Sequence, residues 1–235
     1  MLILSAVSVS YLYAYRILIS SDYFAARAIE IQGADRITPN EVLTASELSI
    51  GSNLFSVSIV KVERALLENN WVKNVSVKRL LPDRIHIRIE ERIPQFWVQK
   101  GGVLCYADRE GRVIAPVTSA KFTSLPLLQV DNEAAELLGY LPALDTAVES
   151  STLPMQLSDA SAVRLGAGRT VELYLEDRNL RLAFGLDDVD GDLKRLGLVL
   201  ADLSRRGELE NARDVRVAGT NVWVRQNPVA AWAAQ

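Results

Sequence analysis

Histidine and cysteine are nearly missing from this chain: 235 residues hold one of each, His86 and Cys105. A lone cysteine cannot close an intrachain disulfide, so no disulfide framework supports the fold. A lone histidine leaves little material for a His-ligated metal centre or a Ser–His–Asp relay. A basic excess is missing too. Lys and Arg number 26 against 29 Asp and Glu, a formal charge of −3, which argues against nucleic acid as the main partner. No Walker A loop, nucleophile elbow or HExxH segment occurs in the sequence. Gly166-Ala167-Gly168 lies between two strand patterns and opens no helix, so it reads as a turn rather than a phosphate cradle. These gaps count against an enzyme, and neither a cofactor nor a metal is expected.

What remains is ordinary globular material, 49% hydrophobic and 23% charged, enough for one large domain or two modest ones. Asp188, Asp190 and Asp192 have the alternation of a calcium loop, but the position that needs glycine is Leu193. They read as acidic residues complementing a helix N-terminus. Cys105 sits inside a strand pattern and reads as a buried structural residue. His86 alternates with Ile85, Ile87 and Ile89, which places it on a solvated strand face. Lys73 to Arg92 carries six basic and three acidic residues, a solvated face or a site for acidic protein surface or lipid headgroups.

The chain reads as an α+β protein behind an apolar leader. Leu2 to Ile19 has a single charge, Arg16, and eighteen helical residues rise about 27 Å against a hydrocarbon core of about 30 Å. Tyr11, Tyr13 and Tyr15 suit an interfacial belt. Residues 1–20 are therefore expected to form a transmembrane anchor, with a cleaved signal peptide and a soluble helix as rivals. From Ala28 to Glu91 the pattern is β-α-α-β-β, with Thr38-Pro39-Asn40-Glu41 as a capping box and Ser58 as a second helix start. From about residue 95 to 226, short strand patterns surround a Leu193, Leu196, Leu200, Leu203 stripe closed by Gly207. This second unit reads as a mainly antiparallel β domain with one packed helix, followed by a tail over 227–235.

The first unit has a recognisable sequence of motifs: Gly51-Ser52-Asn53-Leu54-Phe55, Trp71-Val72-Lys73, Leu81-Pro82-Asp83-Arg84 and Glu91-Arg92-Ile93-Pro94. It resembles the polypeptide-transport-associated (POTRA) domain of the bacterial cell-division family FtsQ/DivIB. Asp108 to Val113, Leu125-Pro126-Leu127-Leu128, Phe184-Gly185 and Asp214-Val215-Arg216 extend the resemblance into the second unit. It implies a POTRA domain over 24–93, an FtsQ-type β domain over 94–226, and a single-pass protein of the inner membrane with its bulk outside. Its role would be a scaffold at the division septum, binding FtsB- and FtsL-type coiled-coil proteins through the distal β domain and other division proteins through the POTRA domain. The closing strand Asn221 to Gln226 is short and would leave an open sheet edge for strand addition. Arg216, Val217, Val222, Trp223 and Val224 are the expected partner-binding residues. A POTRA-bearing outer-membrane secretion or assembly factor is the alternative; it would need a downstream barrel, for which the remaining residues are too few.

Overall fold

Helix α1 (Leu2–Ser20) gives way to a 3₁₀ turn, Asp22–Phe24, where the Ser21 hydroxyl accepts from the Tyr23 amide. The computed structural model describes residues 2–118 and 122–226, with backbone alone at Leu2, Leu4, Ser5, Ala6 and Ala14. Among the described residues no helix is long and apolar enough to cross a membrane. The expected span over 1–20 rests partly on side chains outside that set, and the tail 227–235 lies wholly outside it. The chain divides between Arg92 and Ile93 into two compact units.

The first unit runs β1 (Ala28–Gln32), α2 (Pro39–Ser46), α3 (Ile59–Leu67), β2 (Val72–Leu80) and β3 (Arg84–Glu91). Thr38 and Glu41 satisfy each other's backbone amides in a full capping box, and Pro39 supplies the preset φ of the first helical turn. Ser58 precedes α3 but makes no side-chain cap, so that expected cap is corrected. Strand β3 lies in the middle, parallel to β1 and antiparallel to β2. Its alternation turns Ile85, Ile87 and Ile89 onto Val75, Val77, Val42, Val62 and Leu66, all buried. Each such aliphatic side chain contributes about 1.5–3 kcal/mol on burial. His86, expected on an open face, is half-buried, with Nε2 enclosed and without a hydrogen-bond partner.

Glu91 ends β3 and clamps the loop after β1. Its carboxylate accepts from the amides of Asp35 (3.1 Å), Arg36 (2.9 and 3.0 Å) and Ile37 (2.9 Å). Glu91→Ala strands these donors, so it is expected to lower unfolding stability by about 2 kcal/mol, measured by denaturant titration.

The second unit is built on β4 (Phe96–Lys100), β5 (Val103–Ala107), β6 (Val113–Pro116), β7 (Leu127–Val130), β8 (Ala162–Gly166), β9 (Thr170–Leu175), β10 (Leu180–Gly185), β11 (Ala212–Ala218) and β12 (Asn221–Gln226). Among the described residues these form one nine-stranded sheet, ordered β12-β11-β10-β9-β8-β7-β4-β5-β6. Five of the pairings are antiparallel, whereas β4–β7, β7–β8 and β10–β11 are parallel. Strand β7, which follows Pro126, joins the antiparallel β4–β5–β6 meander to β8 and the strands beyond it. Two helices share the core with the sheet, α4 (Leu141–Ser150) through Leu141, Leu144 and Val148, and α5 (Val189–Arg205) through its leucine stripe. The expectation of one packed helix is corrected accordingly.

Asp188 caps α5, accepting from the Gly191 amide (3.2 Å). The Arg195 guanidinium and that amide hold the Asp188 carboxyl below the usual carboxylate range. Asp192 accepts from the Gly185 amide (2.9 Å) and pairs with Arg195. Helix capping therefore accounts for Asp188, while Asp192 ties the first turn of α5 to the end of β10. Cys105 is buried and free.

Candidate functional site

The expected site residues fall on the last hairpin, β11–β12. Gly219, at φ +62°, and Thr220 connect the strands, matching the turn class in which glycine takes the first central position. The register places Val217 opposite Val222, Arg216 opposite Trp223, and Val215 opposite Val224. A two-residue turn fixes which pairs exchange hydrogen bonds. Asn221, Trp223 and Arg225 direct their main-chain groups to β11; those of Val222 and Val224 face away. Beyond them no further strand is paired among the described residues.

Side chains alternate across the same hairpin. Val215 and Val217 are buried in the core, and Val222 packs against it. Val217, one of the expected contact residues, is only 6% exposed, so its side chain packs in the core and supports β11. Arg216 and Trp223 share the opposite, open face, with Trp223 65% exposed. Val224, at 38%, is half covered. An exposed indole beside a guanidinium, next to two outward-facing peptide groups, can supply an anchor, a charge and a backbone template together.

A charged ladder fixes the hairpin to the rest of the sheet. Parallel pairing of β10 and β11 sets Arg181 opposite Asp214, and its guanidinium donates to Asp214 Oδ2 at 2.8 Å. Arg225 approaches the same oxygen at 3.5 Å from β12. Glu172 lies 3.7 Å from Arg181 and accepts from the Tyr174 hydroxyl at 2.6 Å. Burial by itself lowers the Arg181 pKa, but hydrogen bonds and charge from Asp214, Tyr174 and Glu172 outweigh it, so the net direction is upward and the positive charge persists. Sequence reading missed this ladder. Alternation puts each residue on the outer face, but only the pairing order of distant strands brings them together.

Residues 24–92 match the model of the POTRA domain, FtsQ-type, and residues 95–217 match that of cell division protein FtsQ/DivIB, C-terminal. The chain belongs to the FtsQ/DivIB family. Cell division protein FtsQ of Syntrophotalea carbinolica is 26% identical over 213 residues, covering 87% of this chain and 75% of the relative. The FtsQ of an Anaeromyxobacter species is 30% identical over 223 residues, covering 85% and 74%. The FtsQ of Myxococcus fulvus is 29% identical over 197 residues, covering 80% and 68%. A solved extracytoplasmic domain of DivIB from Geobacillus stearothermophilus is 20% identical at a TM-score of 0.31, covering 49% of this chain and 97% of that one. Membership in this family gives the chain a role in bacterial cell division. The C-terminal match stops at Val217, so the reading of β12 rests on the hairpin geometry.

Proposed function

We propose that this FtsQ/DivIB-family chain is a non-catalytic scaffold of the division machinery that captures FtsB- and FtsL-type partners by adding a partner strand to β12. The observation that carries this reading is the edge of β12, which pairs with no further strand among the described residues and where the Val222 and Val224 peptide groups face outward beside exposed Trp223 and Arg216. Strand addition draws affinity from those peptide groups and specificity from the alternating side chains.

Residues 24–93 act as the POTRA domain, open to other division proteins, and 94–226 as the β domain. Helix α1 tethers both to the inner membrane in a single pass, with the bulk of the chain outside. Its nineteen residues rise about 28 Å, close to the hydrocarbon thickness. Ile3, Val7, Val9, Leu12 and Ile17 are exposed along it, with Tyr13 and Tyr15 in its C-terminal half, toward the interface where tyrosine is favoured.

Capture of purified FtsB and FtsL homologues by the full chain in detergent tests the reading. Wild type is expected to retain the pair, and Trp223→Ala to weaken retention by about tenfold, the loss of one aromatic anchor. A wild-type chain that captures neither partner contradicts the proposal. Equal capture by Trp223→Ala removes the anchor role alone.

A further inference from the structure

The strand-addition site leaves the cationic segment of the first unit unused. Three separate segments bring exposed apolar side chains to one end of that unit. Tyr23 (63% exposed) follows α1 directly, Ile50 (65%) tops the loop before Gly51, and Leu80 and Leu81 (44% and 57%) form the β2–β3 turn. Backbone bonds tie all three together. The Gly51 amide donates to Ala26 O (2.8 Å), and the Ala26 amide to Ser52 O (2.9 Å). The Arg27 amide donates to Asp83 O (2.7 Å), fixing the Leu80–Leu81 turn against the start of β1. Asn53 Nδ2 donates to Leu18 O and Ser21 O, each at 3.0 Å, so the same end also holds the last turn of α1. Cations rim the apolar tips: Lys78, Arg79 and Arg84 flank the β2–β3 turn, Arg79 also donating to Val57 O at 2.6 Å, and Arg27 lies beside it. Asp83 and Glu30 are the acids paired there, and Asp22 precedes Tyr23, so four cations face three acids and a small positive excess remains.

Four large apolar side chains in water, ringed by cations, match a surface with acyl chains beneath and negative charge above. The end from which α1 emerges is also where a spanning helix would place the headgroups. We propose that this end of the POTRA unit seats on an anionic phospholipid surface, with Leu80, Leu81, Ile50 and Tyr23 entering the headgroup layer and Arg27, Lys78, Arg79 and Arg84 meeting its phosphates. This rests on the reading of α1 as a membrane anchor, because the tether keeps the contact at high effective concentration. The consequence is a POTRA unit held in one orientation on the membrane, with its far end, at Asn70 and Trp71, turned toward other division proteins.

The test places a bimane on Leu81→Cys or Asn70→Cys of the full chain; Cys105 is buried and does not compete. The two positions bracket β2, about 30 Å apart. The chain is inserted into nanodiscs of phosphatidylcholine and phosphatidylglycerol, about two to one, carrying headgroup nitroxides. Quenching is expected to be about fivefold stronger at 81 than at 70, and to fall toward the level at 70 in pure phosphatidylcholine. Lys78→Gln combined with Arg84→Gln is expected to lower it likewise. Equal quenching at 81 and 70 overturns the lipid contact while α1 stays inserted, and makes an acidic protein surface the better occupant. A chain that alkaline carbonate strips from the bilayer overturns the anchor, and the lipid contact with it.

Discussion

Val224→Pro is expected to abolish partner capture while leaving the β domain folded. In the β11–β12 register Val224 lies opposite Val215, a pair whose main-chain groups do not bond each other across the hairpin. Its amide therefore faces the open edge, where proline is tolerated because no ladder bond inside the protein is lost. A partner strand loses that donor and meets the pyrrolidine ring, a penalty of about 3 kcal/mol or about a 100-fold loss of affinity. Trp223→Pro is the counterpart. The Trp223 amide faces β11, so proline there breaks the hairpin itself, and the midpoint of thermal unfolding falls. Titration of both variants with the partner, alongside their melting curves, separates loss of the edge from loss of the fold. The two variants are expected to differ most in melting temperature, with Val224→Pro close to wild type.

Gly33→Ala is expected to cost the first unit about 3 kcal/mol, more than any surface change in it. Gly33 follows β1 at φ +76°, a left-handed conformation, and a Cβ there would collide with the Ile89 carbonyl oxygen. That oxygen belongs to the middle strand, whose side chain at the same residue is buried, so the obstacle is backbone and cannot rotate away. The carbonyl or the loop must shift, and the Glu91 clamp on residues 35–37 shifts with it. Denaturant unfolding followed at Trp71, which packs against this core, reads the loss directly.

Local chemistry was legible in the sequence where it acts over a few residues. The Thr38–Glu41 box, the α5 stripe ending at Gly207 and the β-α-α-β-β order all follow from spacing of one turn or one strand. Long-range pairing was not legible. Arg181 and Asp214 meet only because β10 and β11 run parallel, and no alternation pattern records which distant strand lies alongside. Glu91 stood out in the sequence only as the start of the Glu91-Arg92-Ile93-Pro94 motif, yet it closes a loop more than fifty positions earlier. At the candidate site the sequence grouped all five hairpin residues as one contact set, whereas Arg216 and Trp223 lie on the open face and Val217 and Val222 turn to the core. Which of the two faces was the core depended on α5, and that decided that Val217 is buried. Strand β7 was hidden for a similar reason: four residues after a proline are too few to show a period.

The central claim concerns two peptide groups, and amide hydrogen exchange reads them one by one. With saturating FtsB- and FtsL-type partner bound to the full chain in detergent, the Val222 and Val224 amides are expected to slow by about tenfold or more, as edge amides do when they gain a ladder bond. The Trp223 and Arg225 amides, already bonded to β11, are expected to change little. A bound partner that leaves Val222 and Val224 exchanging at their free rates would contradict strand addition at β12.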